Sequence, residues 1–135
     1  MARKKEITYW ACDFETTVWT DEMVEQVGHE QDWTEVWAGA DVALYDDTEC
    51  VTITHSIRDF LTRFLRMPGN NVLFFHNLSF DGSFIVDFLL REGYTHTNVK
   101  DTDMRSRQFK TSISAMGQWY YIKVKWSHTL LEIRN

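Results

Sequence analysis

Three acidic residues stand where chemistry could be done. Asp13 and Glu15 flank one aromatic residue in "EITYWACDFET", and Asp81 closes the run "LFFHNLSFDG" at residues 73–82. In a strand, residues i and i+2 share a face, so Asp13 and Glu15 present two carboxylates side by side. Like charges that close repel unless something positive sits between them, and a divalent cation such as Mg²⁺ prefers oxygen ligands. Two acids at a solvent-facing strand end would be the plain alternative. Asp81 falls where an apolar run passes into a helical pattern, the place where open α/β sheets expose functional groups. A helix N-cap would by itself account for an Asp there. It would not account for His76 and Asn77 just before it, nor for Phe80 and Phe84 on either side. Gly82, with no Cβ, is expected to leave room for a ligand backbone beside the carboxylate. Two acids on one strand and a third at a neighbouring strand's end are what a two-metal phosphodiesterase site requires, where one ion activates water and the other stabilises the leaving oxygen.

The elements that must position these residues can be read from periodicity. "EITYWACDFET" is β-branched and aromatic without Gly or Pro, which predicts a strand. Residues 18–33 are rich in Glu, Asp and Gln and predict an irregular acidic excursion, an insertion of about 18–35. "TEVWAGADVALYDD" and "ECVTITHS" predict a second and a third strand. Ile57, Phe60, Leu61, Phe64 and Leu65 then recur at helical spacing, with Ser56 as N-cap and Pro68-Gly69 as a stop. "NNVLFFHN" is a nearly continuous apolar run, expected of a central strand covered on both faces. "DGSFIVDFLLREG" predicts a second helix with Asp81 near its start. A polar loop is expected from Tyr94 to Arg107. "QFKTSISAMGQWYYIKVKW" follows as a hairpin turning at Met116-Gly117, and "SHTLLEIRN" as a last strand. The order β-β-β-α-β-α-β-β-β makes one α/β domain with a mixed sheet flanked by helices.

Composition narrows the function. At 135 residues, 44% apolar and 15% aromatic, the chain can bury a real core. Asp plus Glu outnumber Lys plus Arg by 20 to 14, a net charge of −6, which counts against a protein that coats nucleic acid by charge alone. It does not count against an enzyme that meets phosphate through metal ions, since such a site is built from carboxylates. Cys12 and Cys50 have no metal-like spacing, and a reducing compartment is expected. The basic start "MARKK" has no apolar segment behind it, and no stretch reaches membrane-spanning length, so a cytoplasmic protein without a membrane partner is expected. His29, His55, His96 and His128 fit no zinc spacing and are expected to be ordinary surface residues. In "GQWYYIKVKW", Trp119, Tyr121, Lys123 and Lys125 alternate with Tyr120, Ile122, Val124 and Trp126. That pattern predicts a half-buried strand whose Lys side faces solvent or nucleic acid.

"CDFETT", "FHNLSFDG" and "MGQWYYI", in this order, resemble the exonuclease domain of protein-primed family B DNA polymerases of tailed phages and linear plasmids, from about residue 8 onward. The resemblance implies a DnaQ-like, ribonuclease H-like fold and removal of mispaired nucleotides from a 3′ end with two divalent ions, Mg²⁺ or Mn²⁺. It implies Asp13, Glu15 and Asp81 as metal ligands. It likewise implies Thr16, His76, Asn77, Phe80 and Phe84 as the residues that hold a single-stranded DNA 3′ terminus. Amide and imidazole groups suit sugar and phosphate, and aromatic rings stack on bases. Two departures accompany it. The stretch between Glu15 and His76 is longer than the family pattern, through the acidic excursion. A Ser-Leu pair, and a later helix with a Tyr and a fourth carboxylate, would follow in the family beyond Asn135. The expectation is therefore an N-terminal exonuclease piece without its C-terminal helix. Its partners would be single-stranded DNA and the remainder of the polymerase or a terminal protein, in a host cytoplasm if phage-encoded. A homodimer through an exposed sheet edge is a further expectation. The competing expectation is a catalytically silent module that binds nucleic acid or protein.

Overall fold

A computed structural model describes residues 6–17, 25, 35–44 and 50–135. Nearly all of the acidic excursion expected at 18–35, together with His29, lies outside the described residues. The elements are β1 (Ile7–Thr16), β2 (Val36–Ala43), β3 (Val51–Thr54), α1 (Ile57–Leu65), β4 (Asn70–Phe75), α2 (Leu78–Arg91), β5 (Thr95–His96), β6 (Gln108–Ile113), β7 (Trp119–Trp126) and β8 (Thr129–Arg134). They form one eight-stranded sheet in the order β3-β2-β1-β4-β8-β7-β6-β5. Strand β4 runs parallel to both β1 and β8, whereas β2–β1, β3–β2, β6–β7 and β7–β8 are antiparallel. The mixed α/β architecture is the one the sequence predicts. The expected polar loop from Tyr94 to Arg107 is corrected in detail. It contains β5, paired in parallel with β6, and a short 3₁₀ turn at Asp101–Asp103.

Helix α1 forms for local reasons. The Ser56 side chain accepts the N–H of Asp59 at 3.0 Å, and Phe60, Leu61, Phe64 and Leu65 make a buried stripe. Each fully buried side chain of this size contributes roughly 1.5–3 kcal/mol of transfer free energy. The stripe lies on the sheet through edge-on ring contacts, Trp10 with Phe64 and Phe14 with Phe60, at 5.2 and 5.0 Å between centroids. Helix α2 packs on the same face, with Leu78, Ile85 and Leu89 wholly buried. The apolar run of β4 leads one to expect cover on both faces. Among the described residues both helices lie on one face, and Tyr9 and Phe74 stack at 5.9 Å on the other. Three ion pairs hold the 3₁₀ segment and β8 against β6 and β7, Lys110 and Lys123 to Asp101 and Lys123 to Glu132.

The hairpin between β6 and β7 turns through Gly117 at φ 83°, a left-handed conformation that suits glycine. The strict alternation read in β7 is interrupted by a register shift between Ser112 and Ile113. Beyond the bulge Trp119 packs toward α2 and Tyr120 is half exposed, while Ile122 and Val124 remain buried as predicted. No helix among the described residues is long and apolar enough to cross a membrane.

Candidate active site

Strand β1 alternates around Phe14, which is buried, so Asp13 and Glu15 emerge together on the opposite, exposed side as the spacing predicts. Their partners on β2 are Ala40 and Ala38, small enough to leave the carboxylates uncrowded. Asp13 lines a shallow concavity of about 220 Å³ with Ala11, Ala40, Val42 and Val51. Thr16 ends the strand, and its carbonyl accepts the indole N–H of Trp37 at 3.2 Å.

Because β4 is parallel to β1, with Cys12 opposite Phe75, its C-terminal end delivers the chain to the same end of the sheet as Asp13 and Glu15. His76 and Asn77 sit exposed in the turn. Helix α2 then begins at Leu78, three residues before Asp81, with Asn77 as its N-cap. The N-cap explanation for Asp81 therefore does not hold. Asp81 lies inside the first turn, 5% exposed, and no side-chain hydrogen bond or ion pair to it is found among the described residues. Burial first, and the negative charge of Asp13 second, push its pKa up from the ordinary carboxylate range to about 6. Phe80 and Phe84, one turn apart on α2, meet edge-on at 5.2 Å, and Phe80 keeps 48% of its surface exposed.

The structure thus brings Asp13 within electrostatic reach of Asp81. It does not draw Asp13, Glu15 and Asp81 into one ligand group, since no three His, Cys, Asp or Glu side chains among the described residues are gathered closely enough to hold a metal ion. The chemistry of the pair still fits a hard cation: a buried carboxylate without a donor, beside a second carboxylate, gains most from a positive charge between them.

The role expected of Gly82 is corrected. A Cβ there would meet Trp119, Ile122 and Leu78 at 3.1–3.2 Å, so the glycine serves close packing of α2 on β7 and leaves no room for a ligand backbone. Cys12 is a partly buried neighbour of the core, its thiol pushed well above the ordinary range by burial and then by the charge of Asp41. His55, His96 and His128 are exposed, as expected.

Three features escape sequence reading. Asp41, the single acid inside the apolar run of β2, is 1% exposed and paired with Arg63 at 2.6 Å, and its solitude in that run was a usable signal. A groove of about 230 Å³ beside Phe84 is floored by Val36, Ile57 and Phe88 and edged by Arg58 and Arg91. The side chain of Asn135 accepts the N–H of Leu78 at 3.0 Å across 57 residues, which no local pattern could announce.

No protein-family model matches the chain. It is 33% identical over 115 residues to the DNA polymerase of Bacillus phage phi29, covering 85% of this chain and 17% of that one. With the DNA polymerase of Streptococcus phage Cp-1 it is 32% identical, covering 94% of this chain and 20% of that one. Solved structures agree. An orthorhombic crystal form of phi29 DNA polymerase superposes with a TM-score of 0.75 at 27% identity, covering 96% of this chain. The phi29 polymerase complexed with single-stranded DNA superposes with a TM-score of 0.71 at 30% identity. The chain is homologous to phi29-type DNA polymerases. The likeness falls at the N-terminal region of those polymerases, and the chain spans about a fifth of their length.

Proposed function

We propose that this chain is a 3′→5′ proofreading exonuclease region of a protein-primed DNA polymerase, hydrolysing the 3′-terminal phosphodiester of single-stranded DNA. The observation that carries the proposal is Asp81: a buried carboxylate without a donor or counter-charge among the described residues, facing the charge of Asp13. Proteins seldom leave a carboxylate so placed unless a ligand completes it. In this reading Asp13, Glu15 and Asp81 hold Mg²⁺ or Mn²⁺. The bound ions would supply an activated water and neutralise charge on the leaving oxygen. His76, Asn77 and Thr16 donate hydrogen bonds to sugar and phosphate, and Phe80 and Phe84 offer ring faces and edges to the terminal bases. The remainder of the polymerase, or a terminal protein, is the macromolecular partner. A second reading, a catalytically silent module that binds nucleic acid or protein, is favoured by one observation: the three carboxylates do not form a compact ligand group among the described residues.

The test is digestion of a 3′-labelled single-stranded oligonucleotide with Mg²⁺ or Mn²⁺. The exonuclease reading expects shortening from the 3′ end that Asp13→Ala and Asp81→Ala each reduce by about a thousandfold, the scale of several kcal/mol of lost charge stabilisation. Wild-type rates in both variants would remove these residues from the mechanism. Metal binding without any digestion would favour the silent module or an exonuclease region that needs the remainder of the polymerase for turnover.

A further inference from the structure

We propose that Asn135 is a positioning residue for Asp81, fixing the start of α2 from the end of β8. The inference rests on the reading of Asp81 as a metal ligand. The first N–H groups of a helix have no partner within it. In α2 the N–H groups of Phe80 and Asp81 turn back to the carbonyl of Asn77, at 3.1 and 3.0 Å. The Asn77 side chain caps nothing, because its Oδ1 accepts instead from the hydroxyl of Ser79 at 2.9 Å. The N–H of Leu78 is taken by Oδ1 of Asn135 at 3.0 Å. Asn135 is held in turn from β7, its own N–H donating to the carbonyl of Tyr120 at 3.4 Å.

The topology makes this bond consequential. Arg134 pairs with Phe74, so the strand that launches α2 and the strand that caps it are parallel neighbours ending at the same level. Leu78 and Asp81 are three residues apart and therefore adjacent on the helix surface. Leu78 is wholly buried and Gly82 sits against Trp119, which fixes the helix on its sheet side. The Asn135 bond fixes the remaining freedom, the lean of the first turn, and with it the direction of the Asp81 carboxylate relative to Asp13.

The experiment is a calorimetric Mn²⁺ titration of the 135-residue chain and three variants, with thermal unfolding alongside. Asn135→Ala is expected to weaken Mn²⁺ binding about fivefold, the scale of one lost helix cap. Asn135→Asp retains an acceptor that the helix dipole favours and is expected to restore wild-type affinity or better. Because Asn77 and Phe80 share that first turn, oligonucleotide affinity without metal is expected to fall with Mn²⁺ affinity in Asn135→Ala and to return in Asn135→Asp, a rescue that a merely structural defect would not give. Wild-type Mn²⁺ affinity in Asn135→Ala, with binding lost in Asp81→Ala, would overturn the positioning role and leave the metal reading standing. Unchanged affinity in Asp81→Ala would overturn both. Should Asn135→Ala fail to fold, hydrogen exchange on the wild-type chain decides. The Leu78 amide is expected to exchange at least about tenfold more slowly than the neighbouring Ser79 amide, and equal rates would sink the proposal.

Discussion

Asp41 and Asp81 are both buried, at 1% and 5% exposure, and the fold treats them in opposite ways. Asp41 faces the helix-covered side of the sheet and meets Arg63, whose guanidinium also lies over the rings of Trp10 and Phe64 at 5.2 and 4.9 Å. Burial raises the Asp41 carboxyl while the hydrogen bond and charge of Arg63 pull it back. One oxygen, Oδ2, still makes no hydrogen bond. Asp81 has no such counterweight among the described residues, and the charge that acts on it is that of another acid, Asp13. Removing a carboxylate from water costs several kcal/mol unless a partner offsets it. The pair at Asp41 joins α1 to β2 and is a structural device. Burial of Asp81 without a partner costs stability, and under the proposed function that cost is kept for a ligand.

The contrast can be broken from either side. The largest effect belongs to Arg63→Ala, which strands Asp41 in the core. The chain should lose about 3 kcal/mol in denaturant unfolding, the lower part of the range for a broken buried pair because Arg63 is itself partly exposed. Adding Asp41→Val should recover most of that loss. A single variant that unfolds like wild type would show the pair to be dispensable.

Asp81→Asn should act with the opposite sign. Its folded carboxyl titrates near pH 6 against an ordinary value of 3.8, so the folded state holds the proton more tightly than the unfolded chain. The contribution of Asp81 to stability then falls as pH rises from about 4 to about 6. Without metal, the asparagine variant should be more stable above pH 6 by up to about 3 kcal/mol, with the gain vanishing below pH 4. Unfolding curves that coincide at pH 8 would mean that Asp81 is not isolated after all.

Much of this was legible in the sequence because local rules governed it. The i, i+2 spacing of Asp13 and Glu15, the Ser56 cap, the stripe of α1 and the Gly117 hairpin each depend on near neighbours. What was not legible depends on long-range contact. The start of α2 at Leu78 was missed because "HNL" reads as the end of a strand, and the residues that secure that start, Asn135 and Trp119, lie far along the chain. Gly82 was misread for the same reason: a missing Cβ beside a carboxylate suits either a ligand or a tryptophan, and sequence does not say which. In β7, the bulge that turns Tyr120 outward is set by its pairing with β6 and breaks an alternation that looked uniform.

If a divalent cation completes the carboxylate of Asp81, as proposed, calorimetric titration of Mn²⁺ into the chain and into Asp81→Asn, both at pH 7.5, will show it. Saturable binding is expected for the wild type, with affinity at least about tenfold weaker in the variant, the loss expected for one carboxylate ligand of a hard cation. Equal affinity in the two proteins, or no binding to either, would mean that Asp81 holds no cation.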